Sequence, residues 1–199
     1  MLVTAGPTFE RIDPVRFIGN HSSGKMGYAL AEELANQGAK VILISGPVSI
    51  STKNTNIQRI NVESAAQMLA QCESWFPQCN AAIMCAAVAD YTPISVENQK
   101  VKRKKENYTI ELQPTTDIAA RLGQLKNSNQ WLVGFALETN DEVQNAHGKL
   151  MRKNLDFIVL NSLNDAGAGF RTDTNKITII DKHTKTTNFE LKSKTEVAK

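Results

Sequence analysis

The sequence predicts an α/β fold: a doubly wound, mostly parallel sheet with helices on both faces and a small β-hairpin extension at the C-terminal end. Three observations carry this. Short apolar or β-branched runs of strand length recur along the chain, helical periodicity separates several of them, and Gly, Pro, Asn and Asp punctuate the boundaries. Strands of this composition that alternate with amphipathic helices belong to a sheet buried on both faces, with right-handed crossovers.

The elements follow in order. Met1-Leu2-Val3-Thr4 opens the first strand, which Gly6-Pro7-Thr8 breaks, and a loop runs on to Phe17-Ile18-Gly19-Asn20-His21. Ser22 or Ser23 stands where it can cap a helix from about Gly24 to Gln37, with Met26, Leu30, Ala31 and Leu34 on one face and Gly38 as its stop. Lys40 to Ser45 (KVILIS) is a buried parallel strand ended by Gly46-Pro47 and completes a βαβ unit. Ile57 to Val62 alternates as a third strand, Ser64 opens a helix through Leu69, and Ala81 to Ala86 (AAIMCA) reads as a central strand. Trp131 to Phe135 and Asp156 to Leu160 are two more strands, with a helix from about Asp141 to Lys153 between them. A Gly/Asn/Asp-rich loop from Asn161 to Thr174 leads to a hairpin of Lys176 to Asp181 and Thr187 to Leu191, and the polar residues from Lys192 to Lys199 are expected to fray. The whole is Rossmann-like, and residues 1–199 are expected to form a single domain.

Bulk composition narrows the function classes. The hydrophobic fraction of 41% and charged fraction of 22% are those of an ordinary globular chain. No apolar run approaches the roughly 20 residues of a membrane span, and the first strand runs straight into Gly6-Pro7 without room for a signal peptide, so a cytoplasmic protein is expected. Cys72, Cys79 and Cys85 form no CxxC pair and lie in or beside apolar stretches, which favours buried free thiols over a zinc site or a disulfide. His21, His147 and His183 are too scattered to hold a metal. A net charge of +3 is too mild to argue for nucleic acid.

In an open sheet of this type ligands sit beyond the carboxyl ends of the strands, where strand order reverses, so the motifs that matter follow strands. Gly19 to Lys25 satisfies GxxxxGK, but Met26 replaces the magnesium-binding Ser or Thr of a P-loop and no strand directly precedes it. What remains is a glycine-flanked helix N-terminus, which can bind an anion or simply be a capped helix. A dinucleotide fingerprint is missing both at Gly6-Pro7-Thr8 and at Ser45-Gly46, which disfavours an NAD(P)-linked oxidoreductase. Cys85-Ala86-Ala87-Val88-Ala89-Asp90 ends a strand in small residues that let a ligand approach the backbone. Asp90 can serve a ribose, a base or a magnesium shell, or cap a turn. Lys100 to Lys105 places five cations in six residues, either as a solvated face or as a mobile lysine-rich loop, residues 92–107, over a polyanion such as a triphosphate; without interleaved aromatics a nucleic-acid role is weaker. Lys149 and Lys153 share a helix face, where the ordinary reading is dipole complementation.

Read together, TAGPT at Thr4–Thr8, IDPVRFIGNHSSGKMG from Ile12, CAAVADY from Cys85, KVKRKK from Lys100, VGFALET from Val133 and RKNLDFIVLN from Arg152 resemble, in the same order, the signatures of phosphopantothenoylcysteine synthetase. The resemblance spans essentially the whole chain. It implies a homodimeric ligase of coenzyme A biosynthesis that activates 4'-phosphopantothenate with a nucleoside triphosphate and Mg2+, then couples it to L-cysteine; bacterial members similar to this chain use CTP. By motif, Asn20 and Lys100 would be catalytic, Asn20 binding the substrate carboxylate and Lys100, with Lys102, offsetting phosphate charge. Arg16 would reach phosphopantothenate in the neighbouring subunit, and Ala86 and Ala87 would present backbone to it. Cys85, Ala86, Ala87, Asp90, Lys100, Gln113, Pro114, Thr115, Thr116, Phe135, Lys149 and Lys153 would line the nucleotide site.

Two departures from the pattern stand out. Thr115-Thr116-Asp117 occupies the place of an Asn-Pro-Asp string in many bacterial relatives, and the chain stops soon after its last strand, where the family often has a closing helix, so a trimmed C-terminal end is expected. No segment reads as the flavin-binding decarboxylase domain that bacteria often fuse upstream. A non-catalytic nucleotide-binding or assembly module is the alternative from a different class.

Overall fold

The computed structural model describes residues 1–103, 105–138, 141–162 and 172–199. In chain order the elements are β1 (Leu2–Ala5), β2 (Phe9–Arg11), β3 (Phe17–Gly19), α1 (Lys25–Asn36), β4 (Val41–Ser45), β5 (Ile57–Asn61), α2 (Ala65–Trp75), β6 (Ala81–Met84), β7 (Tyr91–Pro93) and β8 (Leu112–Pro114). There follow α3 (Ile118–Leu125), β9 (Trp131–Glu138), α4 (Glu142–Arg152), β10 (Phe157–Ser162), β11 (Thr174–Asn175), β12 (Ile177–Asp181), β13 (Thr186–Asn188), β14 (Lys192–Ser193) and α5 (Lys194–Val197).

Every residue of β1 and β6 is buried, all of them apolar except Thr4, and these two strands lie side by side within an eight-stranded sheet of order β13-β12-β10-β9-β6-β1-β4-β5. The pairings from β5 across to β10 are parallel; β12 and β13 close the sheet antiparallel. From β1 the chain moves outward through β4 to β5, then returns across α2 to β6 on the other side of β1. Strand order therefore reverses between β1 and β6, and their carboxyl ends are the place for a ligand.

The two-residue period of the strands sorts their side chains onto two faces. Leu2, Ile44, Ala82, Leu132, Ile158 and Ile180 pack with Met68, Cys72, Phe76, Leu122 and Leu150 from the side of α2, α3 and α4. Val3, Leu43, Ile83, Val133, Val159 and Ile177 pack with Tyr28, Ala31 and Ala35 of α1. Phe76, Leu122, Leu132 and Leu150 are fully buried, and each contributes about 1.5–3 kcal/mol by leaving water.

Helix α1 differs from its sequence-based description at the start. Its N-cap is Gly24, at φ 78°, and no side chain caps it; Ser22 Oγ instead accepts the Gly24 N–H at 3.3 Å. Glycine takes this left-handed conformation without the penalty a side chain would bring, so a serine cap is not needed to turn the chain. The buried face centres on Gly27, Tyr28, Ala31 and Ala35, with Leu30 and Leu34 partly buried at its edge. A Cβ at Gly27 would come within 2.6 Å of Ala5 Cβ, which is why α1 can lie so close to β1.

Further differences have local causes. Helix α2 continues past Leu69 to Trp75, because the Ser64–Gln67 capping box starts it firmly and Met68 and Cys72 extend its buried stripe. The stretches expected as loops after β1 and β6 form the hairpins β2–β3 and β7–β8, and α3, unassigned from sequence, is capped by Asp117, whose carboxylate accepts the Ala120 N–H at 3.0 Å. The C-terminal hairpin continues the main sheet, with Phe157 opposite Asp181. Most of the predicted loop from Asn161 to Thr174 lies outside the described residues. Residues from Lys192 onward do not fray: β14 pairs with β11, Ser193 and Glu196 form a capping box, and α5 packs on α1.

Candidate active site at the strand-order reversal

The carboxyl ends of β1 and β6 are joined by backbone and hydroxyl contacts. Thr4 Oγ1 accepts the N–H groups of Cys85 and Ala86 at 3.1 and 3.2 Å, and Thr8 Oγ1 accepts that of Ala89 at 2.9 Å. Between them Ala87 N–H donates to the Gly6 carbonyl at 2.9 Å, and Thr8 N–H to the Ala87 carbonyl at 3.2 Å. Both threonines are buried. The TAGPT string thus serves as a template that holds the CAAVAD string extended beyond the sheet.

Two more segments close on the same stretch. Asn20, just after β3, donates from Nδ2 to the carbonyls of Ala87 and Val88 at 3.0 and 3.1 Å. Thr115 donates from Oγ1 to the Ala89 carbonyl at 2.6 Å and from its N–H to the Asp90 carbonyl at 2.9 Å. The result is a cavity of about 440 Å³, walled by the 85–90 segment, the N-terminal turn of α1, residues 115–119, β9 around Phe135, and the α4 lysines. That volume suits a ligand of nucleotide size.

The charges around the cavity are organised. Lys153 Nζ lies 2.9 Å from Asp117 Oδ2, and Lys25 Nζ lies 2.5 Å from Asp173 Oδ1. Burial alone would raise the Asp117 carboxyl, but the Ala120 N–H and Lys153 overcome it and hold it below its ordinary value. Lys194 is buried in the wall and donates to the Thr172 carbonyl at 2.5 Å; burial, followed by the nearness of Lys25, lowers its pKa. The α1 N-terminus adds N–H groups and a positive dipole end. Desolvation pushes the Cys85 thiol up to about 12, so it stays protonated. Cys72 and Cys79 are buried free thiols and are raised as well, as sequence composition suggests.

Of the residues singled out from sequence, Asn20, Cys85, Ala86, Ala87, Asp90, Thr115, Thr116, Phe135, Lys149 and Lys153 line this one cavity. Gln113 and Pro114 sit on β8, exposed and paired with Thr92 and Tyr91. Arg16 and Lys100 are exposed outside the cavity wall; Arg16 is bound to Asp13 and to the Val101 carbonyl. Sequence reasoning passed over Thr4 and Thr8, whose hydroxyls do the templating, and Asp117 and Lys194. The GxxxxGK string signalled Lys25; nothing in the polar tail signalled Lys194. Asn175, also in the wall, donates to Asn161 Oδ1 at 3.2 Å and leaves its own buried Oδ1 without a partner among the described residues.

No group of three or more His, Cys, Asp or Glu residues that could hold a metal exists among the described residues, and no helix there is long and apolar enough to cross a membrane.

Comparison with known proteins agrees with this layout. Residues 1–199 match the family model described as the DNA/pantothenate metabolism flavoprotein C-terminal domain. A protein named cysteine/cysteine sulfinic acid decarboxylase, from an unknown prokaryotic organism, is 55% identical over 198 residues, which are 100% of this chain and 55% of that protein. The coenzyme A biosynthesis bifunctional protein CoaBC of Bacillus subtilis (strain 168) is 47% identical over 198 residues, again 100% of this chain and 48% of that protein. The chain spans about half the length of the curated relatives it matches. The crystal structure of the C-terminal domain of a coenzyme A biosynthesis bifunctional protein CoaBC superposes with a TM-score of 0.83 at 41% identity, covering 99% of this chain and 88% of that one. By its match over the full length and by its fold, the chain belongs to the family of DNA/pantothenate metabolism flavoprotein C-terminal domains.

Proposed function

We propose that this chain is a phosphopantothenate–cysteine ligase that uses CTP. The observation that carries the reading is the single cavity in which strand-end backbone, a helix N-terminus and the lysines of α4 converge. Its likeness to a domain of a coenzyme A biosynthesis protein supports it. The decarboxylase name of the other relative describes a protein of which this chain covers 55%.

The carboxylate of 4'-phosphopantothenate attacks the α-phosphate of CTP, forming a mixed acyl-cytidylate anhydride and releasing pyrophosphate. The amine of L-cysteine then attacks the acyl carbon, loses its proton, and expels CMP. Both nucleophiles come from substrates, so the protein acts by positioning and by offsetting charge. The N-terminus of α1, Lys25, Lys149 and Lys153 surround the phosphates, and Asn20 and the 85–90 backbone orient the carboxylate. The protonated Cys85 thiol leaves the activated acyl group for the incoming amine, since only a thiolate would compete.

A magnesium ion that arrives on the triphosphate needs one or two carboxylates and otherwise water and phosphate oxygens. The cavity fits that demand with Asp90, exposed in its wall, and Asp117. The ion would draw charge from the phosphates as the pyrophosphate leaves. Homodimerisation, with Arg16 serving the neighbouring subunit, belongs to the same proposal.

The test is pyrophosphate release with magnesium, in the presence and absence of 4'-phosphopantothenate, comparing CTP with ATP. Release that requires phosphopantothenate and prefers CTP is expected. Release without it, or none with either nucleotide, overturns the reading.

A further inference from the structure

None of the described residues of the lysine run lines the cavity, and the structure supplies what grips its start. Val101, between Lys100 and Lys102, has both backbone polar groups bound: its N–H donates to Asp13 Oδ2 at 3.1 Å, and its carbonyl accepts from Arg16 Nη2 at 2.5 Å. Asp13 and Arg16 are themselves paired, Oδ2 to Nη2 at 2.6 Å. Earlier in the same segment the Glu97 N–H donates to the Ile12 carbonyl at 3.0 Å. The turn between β2 and β3 thus holds the segment at two points.

The Asp13 side chain is fully buried, unusual for an aspartate in a surface turn. Its Oδ1 accepts the N–H groups of Val15 and Arg16 at 2.8 and 2.9 Å and shapes the turn, which leaves Oδ2 for Arg16 and Val101. A carboxylate with this many donors is a rigid, charged anchor. A merely solvated run of cations has no need of one, because mutual repulsion keeps it in water. Strand β3 also links the anchor to the cavity: Arg16 precedes it and Asn20 follows it, four extended residues or about 13 Å apart.

We infer that Asp13, acting with Arg16, is the positioning residue for the lysine run: by fixing Val101 it sets Lys100 and Lys102 on the hairpin that carries Asn20 into the cavity wall. This deepens the ligase reading and rests on it for the role of the lysines. Asp13 touches no substrate; it acts through Val101.

Two variants test it. Asp13→Asn keeps an acceptor for the turn but sets an amide group where Oδ2 served Val101 and Arg16. Val101→Pro deletes the N–H donor, stiffens the backbone only at Lys100 and residue 101, and leaves Asp13 and the turn untouched, so it decides the matter even if Asp13→Asn folds poorly. In the folded Val101→Pro protein, tryptic cleavage after Lys102 and Arg103 is expected to quicken about tenfold at an unchanged thermal midpoint, as opening of the segment becomes easier, and Asp13→Asn is expected to give the same quickening with a lower midpoint, because it also removes the carboxylate's own stabilisation. The kcat for pyrophosphate release is expected to fall about tenfold while KM for phosphopantothenate stays nearly constant, a split that general loosening of the fold would not give. Unchanged cleavage in the folded variants, or faster cleavage with unchanged kcat, overturns the inference. If the wild-type protein releases no pyrophosphate, the ligase reading is what fails, and the cleavage comparison alone then decides whether Asp13 anchors the run.

Discussion

Lys153, the C-cap of α4, places its Nζ 2.9 Å from Oδ2 of Asp117, the N-cap of α3. One ion pair therefore joins the ends of two helices across the cavity wall. Asp117 simultaneously caps α3 through Oδ1, so Lys153 is oriented by a residue that is itself fixed.

Lys153→Gln is expected to raise KM for the nucleotide about tenfold, through loss of one phosphate-facing charge. Asp117 is half exposed, so the stability change stays below about 1 kcal/mol. Steady-state kinetics beside a denaturant titration check both. A large stability loss with unchanged KM would make Lys153 structural only.

Asn20→Asp removes both amide hydrogen bonds to the Ala87 and Val88 carbonyls and sets a carboxylate against them and against an anionic substrate. Loss of the two bonds costs about 1–3 kcal/mol. Turnover is expected to fall at least about a hundredfold, measured at saturating nucleotide.

Lys100→Gln alters an exposed side chain, so no change in thermal midpoint is expected. A fall in kcat without that change is the predicted result for a residue that acts on phosphate charge. A large drop in thermal midpoint would contradict it.

Stability should show a carboxylate-dependent acid limb. Burial alone would raise the Asp13 carboxyl, but the N–H groups of Val15, Val101 and Arg16 and the Arg16 guanidinium hold it at about 2, against an ordinary 3.8. A depressed carboxylate stabilises the fold above its ordinary pKa, and the contribution is lost as pH falls from 3.8 towards about 2. Glu63 beside Arg11, Asp173 beside Lys25 and Glu196 in its capping box shift the same way. Asp13→Asn should therefore flatten the limb in part, as followed by urea unfolding between pH 2 and 5.

The sheet was legible because its strands are short apolar runs whose two-residue period meets helices on both faces; Val41–Ser45 and Ala81–Met84 lie within the predicted segments. Elements set by hydrogen bonding between distant segments were not. Nothing in Phe9–Arg11 announces pairing with Phe17–Gly19, where Phe9 stacks on Phe17 with ring centroids 3.8 Å apart. The tail read as polar, yet its order comes from a strand pair and a capping box that only the fold brings together. The same holds for the site. Small residues after β6 could be read as ligand-facing and the family resemblance assigns the α4 lysines to the site, against their ordinary reading as dipole complements, whereas the Thr4 and Thr8 hydroxyls gain their role only when β1 lies beside β6.

The central claim is that the substrate carboxylate is activated as an acyl-cytidylate, and isotope transfer tests it most directly. With 4'-phosphopantothenate labelled with oxygen-18 in its carboxylate, turnover in the presence of CTP, magnesium and L-cysteine should place one labelled oxygen in CMP, because that oxygen leaves with the nucleotide. Label in inorganic phosphate or pyrophosphate, or product formed with unlabelled CMP, would contradict the account.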